Sequence, residues 1–208
     1  MNKIDKIIMS SIYVNSIAKT LKFTKFMDVN KNSYIEDCIN LRLKNLIKNE
    51  FVDSDKQTLT NKGRASIKVI LTGGVFDIIH PGHIHTLNLA KSLGDILIVV
   101  VATDKTVLTL KKKSSLHNQK QRCLLINSLK MVDFGIIGNE NNMFITVKNI
   151  NPEIIALGYD QLHQEKSIIE ECKKLNLNVE ITRLFSPVPE ISSSKIETKY
   201  KINHKQES

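Results

Sequence analysis

Gly73-Gly74-Val75-Phe76-Asp77-Ile78-Ile79-His80-Pro81-Gly82-His83 stands between an apolar, β-branched run at residues 67–72 and a helix-periodic segment from Ile84 to Leu93. A buried strand, a glycine turn and a helix start in that order make a phosphate-binding context. Glycines let backbone approach an anion closely, and the free N–H groups and positive dipole end of the next helix point toward it. His80 and His83 lie three residues apart across the first helical turn, so both imidazoles can face one anion. Outside such a setting two histidines read as ordinary loop residues. Gly94 is the expected stop of this helix.

Bulk properties narrow the surroundings. The 208-residue chain, 41% hydrophobic and with only four prolines, fits a small domain followed by a medium one. No apolar run approaches the ~20 residues that cross a bilayer, and Met1-Asn2-Lys3-Ile4-Asp5-Lys6 lacks the apolar core of a signal peptide, so a cytoplasmic location is expected. Cys38, Cys123 and Cys172 are too scattered for a zinc site or a disulfide framework. The formal charge of +9 fits an acidic small molecule, nucleic acid or a lysine-rich surface. Residues 1–66 hold twelve Lys and Arg against seven Asp and Glu, a share of +5, so the charge does not single out one half.

In the first third, apolar residues recur at helical spacing from Lys3 to Leu21, and a second helix is expected from near Asn32-Ser33 to about Lys48. Residues 50–60 read as strand, polar turn and strand, and Asn61-Lys62-Gly63-Arg64 as the cap and start of another helix. This order resembles archaeal winged helix-turn-helix domains. The resemblance makes residues 1–66 a winged-helix-like domain, with Asn40 to Lys48 (Arg42, Lys44, Lys48) as recognition helix and Lys56 at the wing tip. DNA is then a candidate partner, and packing or a homodimer the alternative.

From residue 67 strands and helices alternate. Apolar segments at 96–102, 134–138, 154–158 and 179–184 are expected strands, separated by helices near 118–130, 143–149 and 167–175. This implies an α/β, doubly wound parallel sheet (a Rossmann-like arrangement) over 67–200, with 201–208 as a tail. In such sheets ligands bind at the carboxyl ends of the strands.

Gly73-Gly-Val-Phe-Asp77, His80-Pro-Gly-His83, Gln119-x-x-Arg122, Leu157-Gly-Tyr-Asp-Gln161 and Ile191-Ser-Ser-Ser-Lys-Ile196 occur in the order and at about the intervals of the cytidylyltransferase-like nucleotidyltransferases. Within that superfamily the chain is most similar to archaeal FAD synthases, which are FMN adenylyltransferases. The resemblance implies ATP, FMN and Mg²⁺, with a substrate phosphate attacking the α-phosphorus of the triphosphate. A phosphate monoester has its second pKa near about 6, so no general base is required. The site's task is positioning and charge stabilisation.

On the same resemblance His80, His83, Lys113 and Arg122 are the catalytic candidates, Arg122 either meeting phosphate or anchoring its helix. Lys111 and Lys113 alternate on an expected extended loop. Gly74, Val75, Phe76, Asp77, Pro81 and Gly82 would present backbone to the nucleotide, Asp77 orienting the turn. Gly158 and Asp160 would meet ribose or base, and Ser192, Ser193, Ser194 and Lys195 would form a second anion site at a helix start. No protein metal ligand is assigned, because Mg²⁺ rides on the triphosphate.

Glycerol-phosphate cytidylyltransferases, which use CTP, resemble the chain too. They carry Arg-Thr-x-Gly where this sequence has Pro187-Val188-Pro189-Glu190, and an arginine where Lys130 stands. Cytidylyl transfer to a phosphorylated alcohol is therefore the second reading. A DNA-binding regulator that senses nucleotide or flavin with the same fold is the third.

Overall fold

The computed structural model describes residues 2–20, 33–140, 142–158, 165–185, 193, 195–196 and 198–199, with 33–38 described by backbone alone. The chain divides into two compact units, Met1–Lys68 and Val69–Ser208.

The first unit contains α1 (Lys3–Thr20), α2 (Ser33–Lys48) and the short α3 (Asn61–Arg64). One stripe of α1, made by Ile8, Met9, Tyr13, Val14, Ile17 and Ala18, is buried, as helical periodicity requires of an amphipathic segment. Between α2 and α3 a single antiparallel bridge joins Val52 to Leu59, where two strands were expected. The turn inside it is held by side chains: Asp55 accepts from the Gln57 N–H at 2.8 Å, and the Thr58 hydroxyl donates to Asp53 at 2.8 Å. Lys56, expected at a wing tip, sits in this turn with φ 60°.

The cap of α3 lies one residue ahead of the expected Asn61. Thr60 Oγ1 accepts from the Gly63 N–H at 3.0 Å, as an N-cap does. A Cβ at Gly63 would stand 1.8 Å from the Phe51 carbonyl oxygen, so only glycine fits there. Arg42, expected on a DNA-facing surface, pairs with Asp5 at 3.0 Å.

The second unit is built on β1 (Val69–Gly74), β2 (Ile96–Val101), β3 (Phe134–Ile137), β4 (Ile154–Leu157) and β5 (Glu180–Arg183). All neighbours pair in parallel, in the order β3-β2-β1-β4-β5. The helices between them are α4 (Pro81–Ser92), α5 (Asp104–Lys111), α6 (Gln119–Asn127), α7 (Met143–Ile150) and α8 (Glu165–Lys174). Val69 to Thr72, Ile96 to Val99 and all of β4 are buried without alternation, the signature of strands covered on both faces. Thr72, the polar residue in β1, satisfies its hydroxyl on the Ala156 carbonyl at 2.8 Å.

Four local expectations are corrected. Strand β1 runs through Gly73 and Gly74 rather than ending before them, because both glycines pair in register with Val100 and Val101. α4 closes at Ser92 with Leu93 still right-handed, and no described glycine has a positive φ, so Gly94 is not a left-handed stop. α6 ends at Asn127, short of Lys130, and the Asn127 side chain turns to pair with both the N–H and carbonyl of Gly135 at 2.9 Å. That amide covers part of the open edge of β3, which would otherwise leave backbone groups unpaired. The fourth concerns Lys111, expected on an extended loop and found as the last residue of α5.

Strand order reverses direction between β1 and β4, since connections leave β1 toward β2 and β3 and leave β4 toward β5. A crevice at the carboxyl ends of the strands on either side of that switch is the ligand position of open parallel sheets. Gly74 ends β1 there and Gly158 follows the last residue of β4.

Candidate active site

After Gly74 the chain reaches α4 through six residues. Phe76 adopts φ 54°, a left-handed conformation rare for an aromatic residue. That turn folds its ring back over Gly74, where a Cβ would lie 2.9 Å from the ring. The ring is buried in the core, and its other side meets the His83 imidazole at 5.1 Å between centroids. Gly74 is thus a glycine for the sake of Phe76, and Phe76 is a prop for His83.

His80 is the N-cap of α4, Pro81 its first residue, and His80 makes no side-chain cap bond. Proline suits that position because its missing N–H is not needed there. The imidazoles of His80 and His83 stack at 3.8 Å with 25° between their planes. The Nδ1 atoms of both are buried and have no hydrogen-bond partner. Buried polar atoms are nearly always paired, so two orphans at one helix start mark a place for a ligand. Burial lowers the pKa of His80. Burial first, and then the charge of His80, bring His83 down to about 4, against a smaller opposing pull from a backbone hydrogen bond at Ile78; Lys111 adds a further small lowering. Burial thus favours the neutral form of both imidazoles.

Asp77 is 5% exposed. Its carboxylate accepts the N–H groups of Leu116 and His117 at 2.9 and 3.0 Å, and His117 Nδ1 lies 3.0 Å from the Asp77 carbonyl. Arg122 has no exposed surface. Its Nη1 donates to the Val75 carbonyl at 2.7 Å, its Nε to the His117 carbonyl at 2.9 Å and its Nη2 to Asp104 at 2.7 Å. Asp77 and Arg122 together bolt the segment after α5 to the turn between β1 and α4. Of the two roles open to Arg122, this geometry is the anchoring one. His117 belongs to the same bolt and was missed, since its partners lie 40 residues away.

The lysines depend on that segment. Lys111 is the last residue of α5 and Lys112 its left-handed C-cap at φ 55°, so these residues do not alternate along an extended strand. Lys111 is close enough to His83 for its charge to act on the imidazole. Lys113 follows the cap, exposed.

From the far end of the sequence, Ser193 Oγ donates to the Ile78 carbonyl at 3.1 Å. This brings Ser193 to the histidine motif. Lys195 is exposed in the helical turn that follows. Asp160, Ser192 and Ser194 lie outside the described residues. Among the described residues no three His, Cys, Asp or Glu side chains converge as a metal site, and no helix is long and apolar enough to cross a membrane.

Known proteins with related sequences share this region. FAD synthase of Picrophilus torridus is 47% identical over 125 residues, which are 60% of this chain and 89% of that protein. FAD synthase of Thermococcus sibiricus is 48% identical over 116 residues, 55% of this chain and 78% of that protein. A crystal structure described as the lipopolysaccharide core biosynthesis protein of Thermoplasma volcanium superposes with a TM-score of 0.56 at 42% identity, covering 58% of this chain and 98% of that one. Residues 71–199, which hold the glycine turn, both histidines and the terminal serines, match the cytidylyltransferase-like family, and the chain belongs to that family.

Proposed function

We propose that the protein is a nucleotidyltransferase that moves AMP from ATP to FMN, giving FAD and pyrophosphate. The observation that carries this reading is the pair of buried, unpartnered imidazole nitrogens at the start of α4, at the switch point of the sheet. The FAD synthases to which the chain is similar choose the acceptor.

In this reaction an oxygen of the FMN phosphate forms a bond to the α-phosphorus of ATP, and the bond from that phosphorus to the bridging oxygen breaks. Pyrophosphate leaves with the electron pair. The attacking phosphate is largely ionised at neutral pH, so the protein supplies donors and charge rather than a base. His83, propped by Phe76, and His80, stacked on it, face the phosphates where negative charge gathers, together with the N-terminal amides of α4. Lys111 and Lys113 add cationic charge from the segment that Asp77 and Arg122 hold. Ser193, beside Ile78, and Lys195 approach from the other side toward the β- and γ-phosphates, with Ser192 and Ser194 as their neighbours in sequence. Gly158, at the end of β4, and Asp160 beyond it serve the ribose and base.

Mg²⁺ is the ion a triphosphate carries with it, held by phosphate oxygens and water. It lends positive charge to the phosphates, and no step is assigned to it here. The N-terminal unit is read as a winged-helix-like module, supported by α1, α2 and the Val52–Leu59 ribbon.

The test offers the full-length protein ATP or CTP with FMN or glycerol phosphate and follows pyrophosphate release and the product. ATP with FMN should turn over to FAD. Turnover only with CTP and glycerol phosphate would replace this reading with cytidylyl transfer, and none with any pair would end the enzyme reading.

A further inference from the structure

Beside the histidine pair, the outer side of α4 frames a cavity of about 520 Å³, lined by Ile79, His80, Pro81, Ile84, His85 and Asn88. Pro81, Ile84, His85 and Asn88 recur at helical spacing, so they form one stripe along α4. Ile79 rests on the core beneath. The described walls carry the aliphatic side chains of Ile79, Pro81 and Ile84, the imidazoles of His80 and His85 and the Asn88 amide, with no Lys, Arg, Asp or Glu among the described lining residues. A cavity of this size suits a flat organic group.

Two features select the occupant. His80 lines this cavity and also stacks on His83, so the cavity adjoins the histidine pair. Asn88 lies seven residues beyond Pro81, about 10 Å along the helix at ~1.5 Å per residue. A flat group laid along this stripe therefore meets aliphatic side chains near its phosphate-linked end and an amide at its far edge.

The geometry points to this groove as the acceptor subsite, holding the tricyclic ring of a flavin along α4 with its phosphate chain entering at His80. The assignment rests on the adenylyl-transfer reading above. Ile79, Ile84 and Pro81 take the apolar faces of the ring. The Asn88 amide, a donor and an acceptor on one planar group, complements the carbonyl and ring N–H at the pyrimidine edge, and His85 supplies the adjoining wall. Specificity for the flavin then comes chiefly from Ile84, His85 and Asn88, on the helix face that continues beyond the H-x-G-H motif, while ATP is bound by the motif and the terminal serines.

The experiment uses the full-length protein and two variants at partly or fully exposed positions, Ile84→Glu and Asn88→Leu. Flavin fluorescence is titrated with riboflavin, which has the ring but no phosphate, and with FMN. FAD synthesis is assayed in parallel. Wild type should quench both flavins. Each variant should weaken riboflavin binding and raise KM for FMN tenfold or more, with KM for ATP within about twofold of wild type. Unchanged KM for FMN in both variants, with wild type making FAD, overturns the subsite and leaves the transfer reading standing. Quenching by wild type that both variants lose, without FAD formation in any assay, keeps the groove as a flavin site and removes the transfer reading. A parallel rise in KM for ATP and FMN, with loss of the folded signal in circular dichroism, counts against the subsite at that position. The other variant then decides.

Discussion

Ser193 Oγ lies 3.1 Å from the carbonyl oxygen of Ile78, 115 positions earlier in the chain. The Ile78 backbone also acts on His83, raising its pKa against the larger lowering by burial. Ser193 and His83 thus share Ile78 as a neighbour. The two halves of the proposed phosphate site are in contact within the protein, so a change on either side is felt on the other.

Replacing His83 by alanine removes one donor directed at charge that develops in the transition state. Loss of such a group costs about 10²-fold or more in kcat. His83→Ala should therefore stay folded, bind FMN normally and lose FAD synthesis on that scale in steady-state assays. Near-normal turnover would contradict the role given to the imidazole.

The buried state of His83 has a consequence for stability. In the unfolded chain its imidazole takes up a proton near its ordinary pKa of 6.5, whereas in the fold it does so only at about 4. Between those values the unfolded chain binds more protons, so stability falls as pH falls through this window. The contribution is complete above pH 6.5 and gone below about 4. Thermal melts of wild type and His83→Gln at several pH values should converge toward the acidic end, the variant showing the shallower dependence.

Gly74→Ala places a methyl 2.9 Å from the Phe76 ring. The ring cannot move without disturbing both the core and His83. Overpacking of this kind costs ~1–3 kcal/mol. Urea unfolding should show that loss, with kcat falling more than stability alone explains; Gly74→Ala combined with Phe76→Leu should recover stability but not full activity.

Arg122→Met deprives the half-buried Val75 and His117 carbonyls of their donor. Partial access to water reduces the penalty of a fully buried group, so the loss in urea unfolding should be roughly 1–3 kcal/mol. Asp77→Asn, which keeps one carboxamide oxygen, is milder. It should accelerate amide exchange at Leu116 and His117 and raise KM for ATP more than KM for FMN, because the lysine-bearing segment loosens while α4 stays in place.

Much of this was legible in the sequence because the decisive residues are chemically unusual. Glycine pairs, a proline at a helix start and two histidines one turn apart narrow the readings sharply, and apolar runs at 96–101 and 154–157 can only be strands. What escaped notice was either weakly periodic or distant. α5 carries Thr106, Val107 and Thr109, residues with poor helix propensity. Its signal was the cap, since Thr103 accepts from the Thr106 N–H. The glycines of β1 looked like a turn because only pairing with Val100 and Val101 makes them strand. Asp77 and Arg122 took their places through partners 39 to 47 residues away, a separation at which no local pattern survives.

The central position of β1 also sets an order of assembly. Its neighbour on one side is β4, and Ile70 pairs with Ile154, 84 residues later. A nascent chain displays His80 and His83 long before β4, the second neighbour of β1, has been made. The sheet around β1 is therefore completed late in synthesis, and chains interrupted before Leu157 carry the histidine motif without it.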